Sequence, residues 1–157
     1  MIIPIDIQNG SDIASDIKPF IIQNAKRFKR DPWIHEYIQY NIFTFPGAFV
    51  YLYHSLKTEF YNNGEKIGID IHMPYYIQGW INVYHKNEKI PWHQHNDTKW
   101  PGMYHGVFCI ESAGESYTVY EDGNDVESIN GGCHIINDMT TKHTSTKNLS
   151  DELRITL

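Results

Sequence analysis

The hydrophobic pattern of this chain changes period near its middle, and that change restricts the fold more than any other feature. Between Phe49 and Phe60 the apolar residues Phe49, Leu52, Tyr53, Leu56 and Phe60 recur every three or four positions, the spacing of one helix face. From Lys66 onward the period is two, with Ile67, Ile69 and Ile71 alternating with Lys66, Gly68 and Asp70. Side chains on a strand point alternately to its two faces. A second run, residues 76–84, therefore puts Tyr76, Gln78, Trp80, Asn82 and Tyr84 on one face and Ile77, Ile81 and Val83 on the other. The aliphatic face is expected to pack on helices. The face of polar aromatics is expected to line a ligand cavity.

Further strands are expected at 103–111, 115–121, 126–129, 133–137, 143–147 and 153–157. Turn residues separate them: Gly114, Asp122-Gly123-Asn124 and Asn130-Gly131-Gly132. That makes about eight strands in roughly ninety residues, the size of a double-stranded β-helix, or jelly roll. Upstream, residues 1–10 alternate as a short strand closed by Asn9-Gly10. A helix follows, capped by Ser11 or Asp12, carrying Ile13, Ile17, Ile21 and Phe28, and broken or kinked near Pro19. Asp31-Pro32 marks a boundary, with a turn of helix or a loop at 33–40. Phe45-Pro46-Gly47 opens the second helix and Asn62-Asn63-Gly64 stops it. The 157 residues read as one mainly β (α+β) domain, with a strand and supporting helices at 1–65 and a jelly-roll core at 66–157. The helices either cover the outside of the sandwich or form a homodimer contact.

Charge and cysteine usage narrow the function. A net charge of −6 argues against nucleic acid as the main partner. The one basic cluster, Lys26-Arg27-Phe28-Lys29-Arg30, suits a helix end. Cys109 and Cys133 match neither a disulfide framework nor a zinc pattern and read as buried thiols. The first residues lack the basic start of a signal peptide, and no apolar run reaches the ~18 residues of a membrane span. A cytoplasmic protein with no membrane partner is expected.

The chemistry gathers between Trp92 and His105, a stretch holding His93, His95, Asp97 and His105. On a strand, His93 and His95 share a face roughly 6–7 Å apart, close enough to reach one metal ion. A third ligand must come from elsewhere, and the chain offers His143. Two registers are open. His93-x-His95 gives three neutral imidazoles and leaves a divalent metal at +2; His95-x-Asp97 supplies a carboxylate and leaves it at +1. Two His and a carboxylate indicate oxygen-activating non-haem iron, whereas three His also make an ordinary zinc site. Near the end of the sequence, Arg154 and Thr156 share a strand face opposite Leu153, Ile155 and Leu157. A guanidinium fork beside a hydroxyl suits a planar carboxylate. Tyr84, on its strand's inward face, is placed to hydrogen-bond the same group. His105 is expected to face the cavity, and His134 to lie away from the metal.

These pieces together resemble the 2-oxoglutarate/Fe(II)-dependent oxygenase superfamily, in the small prolyl-hydroxylase-like form common in marine bacteria and their phages. Asn82-Val83-Tyr84 followed by His93-Gln94-His95 is similar to the strand and loop that bring in the first metal ligands. The run from Trp100-Pro101-Gly102 to Ile110 is similar to the next strand, and Gly132-Cys133-His134-Ile135-Ile136 to the Gly-led strand. His143 falls where the distal histidine lies, and Leu153-Arg154-Ile155-Thr156 resembles the terminal Arg-x-Ser/Thr strand. The resemblance implies a dioxygenase, an oxidoreductase that hydroxylates a small molecule or peptide. It implies Fe(II) held by His93, His95 and His143, with Asp97 as the alternative second ligand. It also implies 2-oxoglutarate anchored by Arg154, Thr156 and Tyr84. The Trp100-Pro101 match favours the His93–His95 register, with residues 96–99 as a short insertion. Asn137-Asp138 departs from the apolar-Pro pair usual in the family. Two other readings stand beside this one: a cupin-like three-His metalloprotein without 2-oxoglutarate, and a non-catalytic jelly-roll binding module.

Overall fold

The computed structural model describes residues 1–28, 41–70, 72–97 and 102–157. The Asp31-Pro32 boundary, residues 33–40, Ile71, Trp100-Pro101, the Phe28 side chain and part of the basic cluster lie outside the described residues. The elements run β1 (Ile2–Ile5), α1 (Gly10–Gln23), α2 (Ala25–Phe28), a 3-10 turn (Ile42–Thr44), α3 (Ala48–Asn62), α4 (Gly64–Ile67), β2 (Asn82–Tyr84), β3 (His105–Glu111), β4 (Tyr117–Tyr120), β5 (Asp125–Glu127), β6 (Cys133–Ile136), β7 (His143–Ser145) and β8 (Arg154–Thr156).

The strands form two antiparallel sheets. The larger has the order β1-β6-β3-β8-β2, the smaller β5-β4-β7. A further antiparallel bridge, His93 to His143, lays the His93 segment beside β7. After β2 the chain passes back and forth between the sheets: β2 in the large one, His93 in the small, β3 in the large, β4 and β5 in the small, β6 in the large, β7 in the small and β8 in the large. Strands distant in sequence thereby become neighbours, which is how residues near 93, 143 and 154 meet. The C-terminal strand does not fray. It lies between β3 and β2, and Phe108 and Leu157 exchange backbone hydrogen bonds of 2.8 and 2.9 Å. The sheet thereby fixes the backbone at Arg154.

The hydrophobic core fills the space between the large sheet and the N-terminal helices. Ile13, Ile17 and Ile21 on α1 join Phe108, Ile110, Ile135 and Ile155, with Phe49, Leu52 and Leu56 of α3 packed behind. Each such side chain gains about 1.5–3 kcal/mol from burial. α1 starts where Gly10 meets the β5–β6 turn at Gly131. A Cβ on Gly10 would lie 2.4 Å from the Gly131 carbonyl oxygen, and Gly131 itself has φ +82°. Two backbones touch there, and only glycine permits it.

Several local expectations are corrected. Asn9 caps α1 in the left-handed conformation, so Ser11 and Asp12 sit in the first turn. Pro19 neither breaks nor ends α1. It lies on the exposed face with Ser15, whose carbonyl loses its helical partner where water can replace it. The run from Lys66 is no strand. Residues 64–67 form α4, closed by Gly68 in the left-handed region, and Ile69 N–H returns to the Gly64 carbonyl at 2.8 Å. Residues 76–81 do not pair as a strand. Gly79 spends its backbone groups on Ile42 N–H (2.8 Å) and the Asn41 side chain (3.2 Å), leaving 82–84 to pair with β8. The later strands fall where the alternation puts them.

Candidate metal centre

Backbone pairing builds the site first. His93 and His143 exchange two hydrogen bonds, 3.0 and 2.9 Å, while the N–H groups of His95 and Asn96 both donate to the Met139 carbonyl at 3.1 Å. The loop after Trp92 is thus sewn to β7 and to the segment before it. As a result His93, His95 and His143 each bring a ligand nitrogen within 4.8 Å of the others. His143 Nδ1 faces the Thr141 carbonyl at 3.3 Å, and His93 Nδ1 the Pro91 carbonyl at 2.9 Å. A nitrogen that donates its proton to a carbonyl leaves Nε2 as the metal-binding atom, and the carbonyl fixes the ring plane. Burial, then the neighbouring His93 and His95, push the His143 imidazole down to about 3. Its ring is therefore neutral near pH 7, the form a metal needs.

Asp97 stands outside this group. It is exposed, and its Oδ1 accepts from Gln94 Nε2 at 2.9 Å. His105 is a fourth imidazole beside the three: its ring stacks 4.1 Å from His95 and 4.5 Å from His143. Burial, then His95 and His143, hold its titration well below the usual histidine range. Trp80 closes the side against His95, ring centres 5.7 Å apart. His134 is not in the cluster, as expected, but it faces the space between the sheets rather than away from it. It lies opposite Val107, and its Nε2 hydrogen-bonds the Tyr120 hydroxyl of the small sheet at 2.6 Å. The inward members of β6 are therefore His134 and Ile136, opposite Val107 and His105 of β3. Cys109 and Cys133 form no disulfide, and burial pushes both thiols up to about 12.

One cavity of about 440 Å³ holds His93, His95 and His143 together with Tyr84, Arg154 and Thr156. On β2 and β8, Tyr84 sits directly opposite Arg154 and Asn82 opposite Thr156. The Arg154 guanidinium lies 5.1 Å from the Tyr84 ring centre. It is 1% exposed, and Nη2 reaches across to the small sheet, donating to Ser128 Oγ at 2.9 Å and the Tyr117 carbonyl at 3.4 Å. Nε and Nη1 have no hydrogen-bond partner, and no carboxylate among the described residues pairs with the charge. Burial accordingly lowers its pKa. A buried guanidinium with two unmatched donors is costly unless an anion completes it. Sequence reasoning missed Ser128 and Asn148. Ser128 is an ordinary serine just past an edge strand. Asn148, 3% exposed, donates from Nδ2 to the carbonyls of Tyr84 (3.1 Å) and Glu152 (2.7 Å), which ties β2 to the approach to β8.

The sequence matches no family model and none of the curated proteins. By structure, the chain is similar to a prolyl-4-hydroxylase from Pseudomonas putida, with a TM-score of 0.58 and 12% identity over 93% of this chain and 76% of that one. It is also similar to AviO1 from Streptomyces viridochromogenes Tue57, with a TM-score of 0.60 and 11% identity over 98% and 84% of the two chains. At these identities the likeness is one of fold. The chain is a β-rich protein whose fold is similar to those of these two structures, and it carries a cluster of three histidines. Among the described residues, no helix is long and apolar enough to cross a membrane.

Proposed function

We propose that this protein is a 2-oxoglutarate- and Fe(II)-dependent dioxygenase that hydroxylates its substrate. The alternating path of the chain between its two sheets supports a double-stranded β-helix. The observation that carries the functional reading is one cavity lined both by three clustered imidazoles and by a buried arginine with unmatched donors. The donor set fits the metal: imidazole suits iron, and three protein ligands leave open positions. The arginine fits the co-substrate, since its unmatched Nε and Nη1 donors leave N–H groups from which the far carboxylate of 2-oxoglutarate can accept.

In this reading His93, His95 and His143 hold the iron, and the Pro91 and Thr141 carbonyls orient two of those rings. Arg154 binds the far carboxylate, with Thr156 and the Tyr84 hydroxyl beside it. Trp80 and His105 screen the centre from water. The bound iron, with oxygen and 2-oxoglutarate, supplies the oxidising power, and the protein supplies placement and dryness. The test is conversion of 2-oxoglutarate to succinate by iron-loaded protein under air, with ascorbate. Absence of turnover across candidate substrates, in protein with verified iron occupancy, overturns it.

The carboxylate-free ligand set favours a second reading, a three-His zinc or iron enzyme that needs no co-substrate. Calorimetry separates the two. The first reading expects 2-oxoglutarate to bind and Arg154→Ala to abolish binding; the second expects no binding. A chain that takes up no metal on reconstitution points instead to a non-catalytic binding module.

A further inference from the structure

A second cavity, about 380 Å³, adjoins the metal centre. It lies between the end of α3 (Leu56, Phe60), the side chains of Ile69 and Ile77, and Met103-Tyr104 before β3. His95, His105, Trp80 and Met139 wall both cavities, so the two spaces meet at the imidazoles. Their linings differ in one respect. The metal cavity contains Arg154, whereas this groove has no charged side chain among its described residues, in a chain that is 20% charged. Its polar groups are uncharged and partly engaged: the Tyr104 hydroxyl donates to the Gly68 carbonyl at 2.8 Å, and the Tyr76 hydroxyl accepts from Asn41 Nδ2 at 3.0 Å. Its rim leaves large apolar side chains in solvent, with Tyr61 60%, Tyr75 43% and Met103 41% exposed. Exposed aromatics clustered on a concave surface mark a place where something apolar docks.

We infer that this groove binds the substrate and that the substrate is an uncharged small molecule with an apolar or aromatic body, one end of which reaches the imidazole cluster. The assignment of the groove to the substrate rests on the oxygenase reading. The preference for neutral ligands rests on the lining alone. An ion entering the groove gives up water and finds no opposite charge, whereas an apolar ring gives up unfavourable hydration and gains contacts. The anionic co-substrate goes to the arginine end and the neutral substrate to the groove, so the two do not compete.

The test uses two probes of equal shape, 2-naphthylmethanol and 2-naphthylmethylamine, the latter a cation at pH 7. Each is titrated calorimetrically into the full metal-free chain. The net charge of −6 biases the protein toward the cation, so at least tenfold tighter binding of the alcohol supports the groove. Ile69→Glu, and separately the solvent-facing Met103→Lys, should weaken the alcohol at least fivefold, with metal uptake by elemental analysis as the control for folding. Equal or tighter binding of the amine, no binding of the alcohol at millimolar concentration, or unchanged binding in both variants overturns the inference. The two claims fail separately: failure of the wild-type chain to take up iron sinks the oxygenase reading, while the probe titrations need no metal.

Discussion

The two faces of strand β8 make opposite uses of adjacent residues. Ile155 is 0% exposed and joins the aliphatic core under α1, while Arg154 and Thr156, one residue either way, point between the sheets into the metal cavity. The same division runs through β3, where Phe108 and Ile110 join the core and His105 and Val107 line the cavity. Stability is concentrated on one side of the sheet and chemistry on the other. The outer face gains from burial, whereas the inner face holds a buried charge and a cluster of imidazoles that burial penalises. Substitutions on the two faces should therefore separate in kind as well as in size.

The largest effect on stability belongs to the outer face. Ile155→Ala should destabilise the fold by about 2–5 kcal/mol, as expected for opening a cavity in a closed core, measured by urea denaturation. A cost under about 1 kcal/mol would break the division, because it would mean the outer face is not where the fold is held.

Acid should expose the inner face next. Burial pushes His134 down to about 4, from an ordinary 6.5. A histidine depressed in the folded state stays neutral there while the unfolded chain takes up a proton. Its contribution is complete above about pH 6.5 and is lost as pH falls toward 4. The difference of about 2.5 units corresponds to roughly 3 kcal/mol. His143, pushed down to about 3, adds to the loss in the same direction. Denaturation midpoints of the metal-free chain across pH 7 to 4 should fall, and His134→Gln should flatten part of that slope. A flat profile would place these rings in water.

What the sequence disclosed follows the same division. Strands from residue 103 onward were legible because alternation is local and each run is closed by a turn residue. The helix turn at 64–67 was not, because Ile67 is buried in that turn just as it would be on a strand. Two residues of His-x-His spacing announced their shared face. The third imidazole was one the chain merely offered, and only the resemblance singled out its place, since strand order is nonlocal and no pattern near His143 points back to residue 93. His105 and His134 needed the inward face of β3 and β6, which alternation alone leaves ambiguous by one residue. Ser128 carries no signal at all: what distinguishes it is the arginine that reaches it from the other sheet.

Arg154→Met sharpens the comparison by changing binding without changing the fold. Methionine fills most of the same space and removes a charge that burial disfavours. Stability should stay level or rise by about 1 kcal/mol, while affinity for 2-oxoglutarate falls at least tenfold, as loss of charge-assisted hydrogen bonds predicts. A large loss of stability would instead make Arg154 a structural brace between the sheets, with Ser128 and the Tyr117 carbonyl as its true partners.

Thr156→Val is the smallest and most discriminating change. It keeps the shape of a residue that is 4% exposed and opposite Asn82 and Cys109, and removes one hydroxyl. If that hydroxyl serves the co-substrate, stability should move by no more than about 0.5 kcal/mol, while 2-oxoglutarate binds about five- to tenfold more weakly, the worth of one hydrogen bond of about 1 kcal/mol. If the hydroxyl serves the sheet, the order reverses, with stability falling and affinity unchanged. Denaturation and calorimetry on one purified variant distinguish these outcomes, and so decide whether the inner face of β8 is built for a ligand as far as its last residue.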